Sequence, residues 1–171
     1  ALGRTTGWAE GEPGGKIAFG SVKLAPDEAS KEEVFGQAMK WLVERWSAWK
    51  PRTVVYEAPI PPYQKHGQTN VNSTAVLFGL PAIVGGVANR VGIYDVRMAH
   101  VDDVRRFHFG KRLVRADNPK RRVIEHLQSL GYDIRQHDAA DALAGLLFAH
   151  SIVAPSVKPA ATTPLFAEAD R

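Results

Sequence analysis

Two aspartates three residues apart, Asp138 and Asp141, stand where a helical pattern begins near the C-terminal end of the chain. Helical spacing puts both on one face, and two carboxylates held that way can share a divalent cation through oxygen ligands. The pair also suits a plain structural role, because an Asp at the N-cap with another in the first turn satisfies free N–H groups and complements the helix dipole. Glu57 weighs toward the metal. It follows directly on Val54-Val55-Tyr56, an expected buried strand, and open α/β sheets place ligand groups at the C-terminal ends of their strands. A strand-end acid with a helix-start acid pair is the arrangement that two-metal phosphodiester hydrolysis needs, one ion activating a water and one stabilising the leaving oxygen. Such a site takes a further acid from the first strand.

These acids need elements to position them. Residues 1–3 read as the end of a strand that starts earlier, and residues 7–10 and 16–24 read as two more strands joined by the Gly11-Glu12-Pro13-Gly14-Gly15 turn. Ser30 and Glu33 have capping-box spacing. Phe35, Ala38, Leu42, Trp46 and Trp49 then recur at helical intervals until Pro51. Residues 53–56 read as a strand, ended by Pro59, Pro61 and Pro62. Asn72 or Ser73 should cap a second helix to about Val91, kinked at Pro81, its many Gly and Ala residues suiting close approach of another backbone. Residues 93–98 alternate as a strand, and a basic loop follows. Asn118-Pro119 opens a helix with Val123, Ile124, Leu127 and Leu130 on its apolar face and Gly131 at its end. A last helix runs from Asp138 to about Val153. Strands first, then alternating helix and strand, predict an α/β domain over residues 1–153 with a mixed sheet flanked by helices on both faces. The Pro-, Ala- and Thr-rich residues 154–171 read as a flexible tail.

Composition narrows the function classes. The 171 residues suit one ordinary domain, 44% hydrophobic and 23% charged. There is no cysteine, so disulfides and thiolate metal sites are excluded, and a cytoplasmic setting is expected. No apolar run reads as long enough to cross a bilayer, so no membrane partner is expected. The six histidines, at 66, 100, 108, 126, 137 and 150, show no zinc spacing. Net charge is only +4, yet eight Lys and Arg fall between Arg105 and Arg122 with Asp117 as the sole acid. Such a cluster can neutralise phosphates, and it also suits a solvated surface loop.

Three motifs then resemble, in order, those of RuvC-type Holliday junction resolvases, nucleases of RNase H-like fold. The first is Gly3-Arg4-Thr5-Thr6-Gly7-Trp8-Ala9, similar to the family's D-x-G-x-x-T-G-W-A first-strand turn. The second is Val54-Val55-Tyr56-Glu57-Ala58-Pro59, similar to the strand that ends in the catalytic Glu. The third and most specific is His137-Asp138-Ala139-Ala140-Asp141-Ala142-Leu143-Ala144, similar to the final D-A-A-D-A-L-A helix. The resemblance covers most of residues 1–150. It implies a homodimer that nicks opposed strands of a four-way DNA junction with two Mg²⁺ or Mn²⁺ ions, held by Glu57, Asp138, Asp141 and an Asp at the place of Ala1. It also implies phosphate contacts from Arg105, Lys111, Arg112, Arg115 and Lys120, although Gly110 to Lys120 is longer than the family's spacing. Ile60 stands where an aromatic can wedge at the crossover, which leaves Tyr63 as the nearest substitute.

Ala1 in the Asp position has three readings. The Asp has been replaced to trap an uncleaved complex; it has been lost in a protein that only binds; or it lies before Ala1 in a register one residue longer. The first is the working expectation, because the other three carboxylates are intact. Rival classes are a junction-binding protein without cleavage and an RNase H-like nuclease for another nucleic-acid structure. Sugar-kinase and actin-like ATPases share the D-x-G-x-x-T-G type of turn, but need a second nucleotide-binding half and give Asp138 and Asp141 no role.

Overall fold

Strand β1 (Thr5–Gly11) pairs with β2 (Ile17–Lys23). The turn between them closes with the Gly15 N–H donating to the Glu12 carbonyl at 2.9 Å, and Gly14 takes the left-handed backbone (φ 76°) that glycine adopts without a Cβ penalty. A connection this short joins antiparallel strands. The structure, a computed structural model, describes residues 2–59, 71–110 and 118–156. Of the strand end expected at residues 1–3, residues 2 and 3 are not in a strand, and residue 1 lies outside the described residues. The Thr6 hydroxyl donates to the Gly3 carbonyl at 2.8 Å and accepts from the Gly3 N–H at 3.2 Å, so a local loop takes groups that a ladder would have used.

The described residues gather into two compact units, one drawn from Ala1–Thr6 and Val22–Val101, the other from Gly7–Ser21 and Asp102–Arg171. In the first, helix α1 (Lys31–Ala48) starts at Ser30, whose hydroxyl accepts from the Glu33 N–H at 3.1 Å, as the capping spacing predicts. Its buried positions are Val34, Ala38, Leu42 and Trp46. Val34 thus takes the inward place expected of Phe35, which is only partly buried, and Trp49 is the C-cap, 42% exposed rather than core. Strand β3 (Thr53–Glu57) runs parallel to β4 (Asp95–Ala99), with Glu57 opposite Ala99. Parallel neighbours need a long crossover, and helix α2 (Val71–Arg90) lies within it. The helix begins ahead of the expected cap and continues through Pro81. Of its glycines, Gly79 meets a neighbour closely: a Cβ there would overlap the Phe35 ring of α1, a side chain rather than the expected backbone, while Gly85 and Gly86 face open space. By length and composition α2 could cross a membrane, with mean hydropathy 1.6. That corrects the sequence expectation that no apolar run is long enough to cross a bilayer.

The second unit holds a helix the sequence did not reveal. Residues Val101–Phe109 form α3, read from sequence as part of a basic loop. Asp102 and Asp103 lie in its first turn and Arg106 and His108 in its last, each sign complementing the helix dipole. Helix α4 (Pro119–Ser129) starts as predicted. Asn118, at φ 54°, accepts from the Arg121 N–H at 3.3 Å, and Gly131, at φ 93°, follows the end. Helix α5 (His137–Val153) completes the unit. Leu127, Ile134 and Leu143 are fully buried at its core, with Phe19, Val104 and Phe109 packed around them. Among the described residues the strands are hydrogen-bonded as two separate pairs. The α/β class expected from sequence holds.

Histidines tie α3, α4 and α5 together. His108 donates from Nε2 to the Ala144 carbonyl at 3.0 Å and meets the His126 ring at 5.2 Å between centroids. Burial lowers the pKa of both rings; for His108 the Ala144 bond opposes the shift and the neighbouring His126 adds to it. A His with a depressed folded pKa leaves the unfolded chain binding more protons under acid conditions. This contribution to stability is therefore present above the ordinary value of 6.5 and lost as pH falls below it. The melting temperature should drop between pH 7 and 5, and His108→Leu should flatten that limb. A melting temperature that rises on acidification would show instead that His108 gains a partner for its proton in the fold.

Candidate functional site

Glu57 is the last residue of β3 and is half-buried. The strand pair is continued one step beyond it, the Ala58 N–H donating to the Ala99 carbonyl at 2.8 Å. Pro59 then ends the ladder because it has no N–H to give. Buried Ala58 and Ala99 fix the backbone on which Glu57 is mounted. The carboxylate thus stands at the C-terminal edge of a parallel pair, as the sequence predicts.

Asp138 and Asp141 belong to the second unit and share a face of α5. Both are half-buried, whereas Ala139, Ala140, Leu143 and Ala144 are buried. The small alanines let the helix sink into the core while the aspartates stay at its margin. The sequence left open that Asp138 is merely an N-cap. It is not: the cap is Gln136, the first helical bond runs from the Ala140 N–H to the Gln136 carbonyl, and the Gln136 side chain makes no capping bond. Its Oε1 accepts from the Ser21 hydroxyl of β2 at 2.6 Å instead. Asp138 lies inside the first turn, where the helix dipole favours a negative charge.

What holds this helix start in place is backbone contact. Gly7 of β1 lies against the carbonyl group of Asp138, so closely that a Cβ on residue 7 would overlap it, and would also come within 3.1 Å of the Ala139 nitrogen. The sequence suggested that Gly7 serves a tight turn. It lies in the strand, and its missing side chain admits α5. Gly20 of β2 is similarly covered by the Trp8 indole, 3.1 Å from where its Cβ would be. The hairpin therefore braces the start of α5 at two places, Gly7 on Asp138 and Ser21 on Gln136. Sequence reasoning missed this role; the signal present was the glycine of the Thr-Thr-Gly-Trp stretch.

The cationic residues divide the same way. Arg105 is half-buried on α3, and Lys120 is exposed in the first turn of α4 beside exposed Arg121 and Arg122. Arg121 is engaged with Glu125 at 2.7 Å. Ala1, Tyr63, Lys111, Arg112 and Arg115 lie outside the described residues. Among the described residues no group of three His, Cys, Asp or Glu stands close enough to hold a metal ion. The pair Asp138 and Asp141 offers hard oxygen donors one helical turn apart, the donor chemistry that Mg²⁺ and Mn²⁺ take.

No protein-family model and no curated protein matches the chain. Solved structures do. The fold is similar to that of Thermus thermophilus RuvC, with a TM-score of 0.61 at 20% identity over 91% of this chain and 93% of that one. It is equally similar to T. thermophilus RuvC in complex with Holliday junction substrate, with a TM-score of 0.61 at 19% identity over 92% and 95%. The chain has the RuvC fold, the RNase H-like α/β architecture that its three motifs resemble.

Proposed function

We propose that this chain is a structure-selective nuclease of the junction-resolving type, acting on four-way DNA by metal-dependent phosphodiester hydrolysis. The observation that carries the reading is the carboxylate face of α5. Asp138 and Asp141 are paired on one turn, neither is spent as the helix cap, and β1 braces the helix start through a glycine, in a chain whose fold is that of a protein solved with a Holliday junction. Asp138 and Asp141 are the residues we assign to hold Mg²⁺ or Mn²⁺, and Glu57 is the third acid by the resemblance. The chemistry expected of two bound ions is Lewis-acid polarisation of the attacking water and of the leaving 3′ oxygen. The protein's part is to orient. The carboxylates fix charge at the scissile position; Arg105 and Lys120 steady phosphate oxygens, with Lys111, Arg112 and Arg115 on the flanking backbone and Tyr63 against a base.

A homodimer would set two such sites on opposed strands. Val71 and Phe78 on α2 and Met39 and Val43 on α1 are exposed apolar side chains available to such a contact.

The test is cleavage of a synthetic four-way junction in Mg²⁺ by the chain as written and by Ala1→Asp. Cutting by the Asp form alone supports the resolvase reading and identifies position 1 as a lost ligand. Cutting by both moves the fourth acid elsewhere. Tight junction binding without cutting by either favours a binding protein.

A further inference from the structure

Lys50 and Arg52 flank Pro51 in the link from α1 to β3, and Gly92, Ile93 and Tyr94 form the link from α2 to β4. With Asp95 they line a cleft of about 350 Å³ at the N-terminal edge of the parallel pair. Its donors converge. Gly92 has φ 79°, and the Lys50 ammonium lies 2.8 Å, the Tyr94 hydroxyl 3.9 Å, from the point where a side chain on residue 92 would begin. Both donors thus overhang one glycine, and the Tyr94 ring is 80% exposed. The acid at the rim is already committed. Asp95 accepts from Arg97 Nε at 2.7 Å and Nη2 at 3.0 Å, and from the Thr53 hydroxyl at 2.7 Å. The guanidinium first and the hydroxyl second hold its carboxyl below the usual carboxylate range. Lys50 and Arg52 have no acid partner among the described residues. Two cations and a phenol in an open cleft, with its one carboxylate satisfied elsewhere, match the oxygens of a phosphate group.

We propose that this cleft holds a backbone phosphate of DNA, at the opposite end of β3 from Glu57. Strand rise separates the two ends of β3 by roughly 13 Å, so this contact is distinct from the proposed carboxylate site. The inference rests on the nucleic-acid reading above.

Binding of a labelled four-way junction and a labelled duplex, followed by fluorescence anisotropy across a salt series, tests it. Lys50→Gln/Arg52→Gln should bind junction about tenfold or more weakly, and lose about one from the slope of log affinity against log salt, near 0.9 per phosphate contact. Lys23→Gln/Lys31→Gln removes the same charge from exposed lysines already paired to Asp27 and Glu32, and should bind like the parent. Lys50 and Arg52 are themselves exposed, so the double variant should melt with the parent. Equal weakening by both double variants, or by neither, overturns the site. Lys50-dependent broadening of the ³¹P signal of inorganic phosphate, with DNA affinity unchanged, overturns DNA as the source of the phosphate. A parent chain that binds no DNA at all is a different failure, that of the nucleic-acid reading, and takes this proposal with it.

Discussion

Asp138→Asn, and separately Asp141→Asn, should each lower four-way junction cleavage by at least about a thousandfold while leaving junction affinity within a few-fold, measured in Ala1→Asp or whichever form of the chain cuts. A thousandfold is about 4 kcal/mol of barrier, within the several kcal/mol that metal-held charge stabilisation supplies. The substitution keeps shape and removes one negative charge, so it separates metal chemistry from folding. A structural Asp at this position would behave otherwise. Asn caps helices about as well as Asp and retains an acceptor oxygen; had Asp138 served only the helix start, Asn would cost little in stability or activity. The geometry already weighs against that role, since Gln136 is the cap and Asp138 lies inside the turn. Glu57→Gln should follow the same pattern. Retained cleavage with Asp138→Asn would remove α5 from the site and leave its acids as first-turn charges favoured by the dipole.

The sequence was most legible where local chemistry decides structure. Ser30 with Glu33, Asn118 before Pro119, and Gly131 behind Leu130 each announce a helix end through one backbone bond or one permitted φ, and each holds. Val54-Val55-Tyr56-Glu57 was legible as a strand too, because a short β-branched run cut by prolines has few other uses, although the strand is half-buried throughout rather than buried as expected. Legibility failed where a distant partner decides. Helix α3 was missed in a charged stretch although its apolar residues are segregated to one face; what holds that face is distant, Val104 and Phe109 packed on α4 and α5 residues. Residues 1–3 read as a strand end, yet the Thr6 hydroxyl captures Gly3. Gly7 was read as a turn glycine because nothing around it in sequence says that residue 138 will lie on top of it.

Gly7 therefore yields the second large effect. Gly7→Ala should destabilise the protein by about 3 kcal/mol or more, at the upper end of overpacking costs, because the added methyl meets the backbone of Asp138 rather than a side chain able to rotate away. Relief requires either β1 or the start of α5 to move. Moving α5 carries Asp138 and Asp141 with it, and misplacement of about 1 Å can cost around a hundredfold in rate. Two readouts distinguish the outcomes. Urea unfolding gives the stability loss; cleavage per folded molecule, at a temperature where the variant is fully folded, gives the positioning loss. If Gly7 matters only to folding, the second should equal the parent. If the glycine sets where the aspartates stand, activity per folded molecule should fall while junction binding persists, and substitution at Gly36 of α1, where a Cβ meets nothing within 4 Å, should produce neither loss. A Gly7→Ala protein with parental stability would mean that the hairpin does not press on α5, and the positioning role of β1 would go with it.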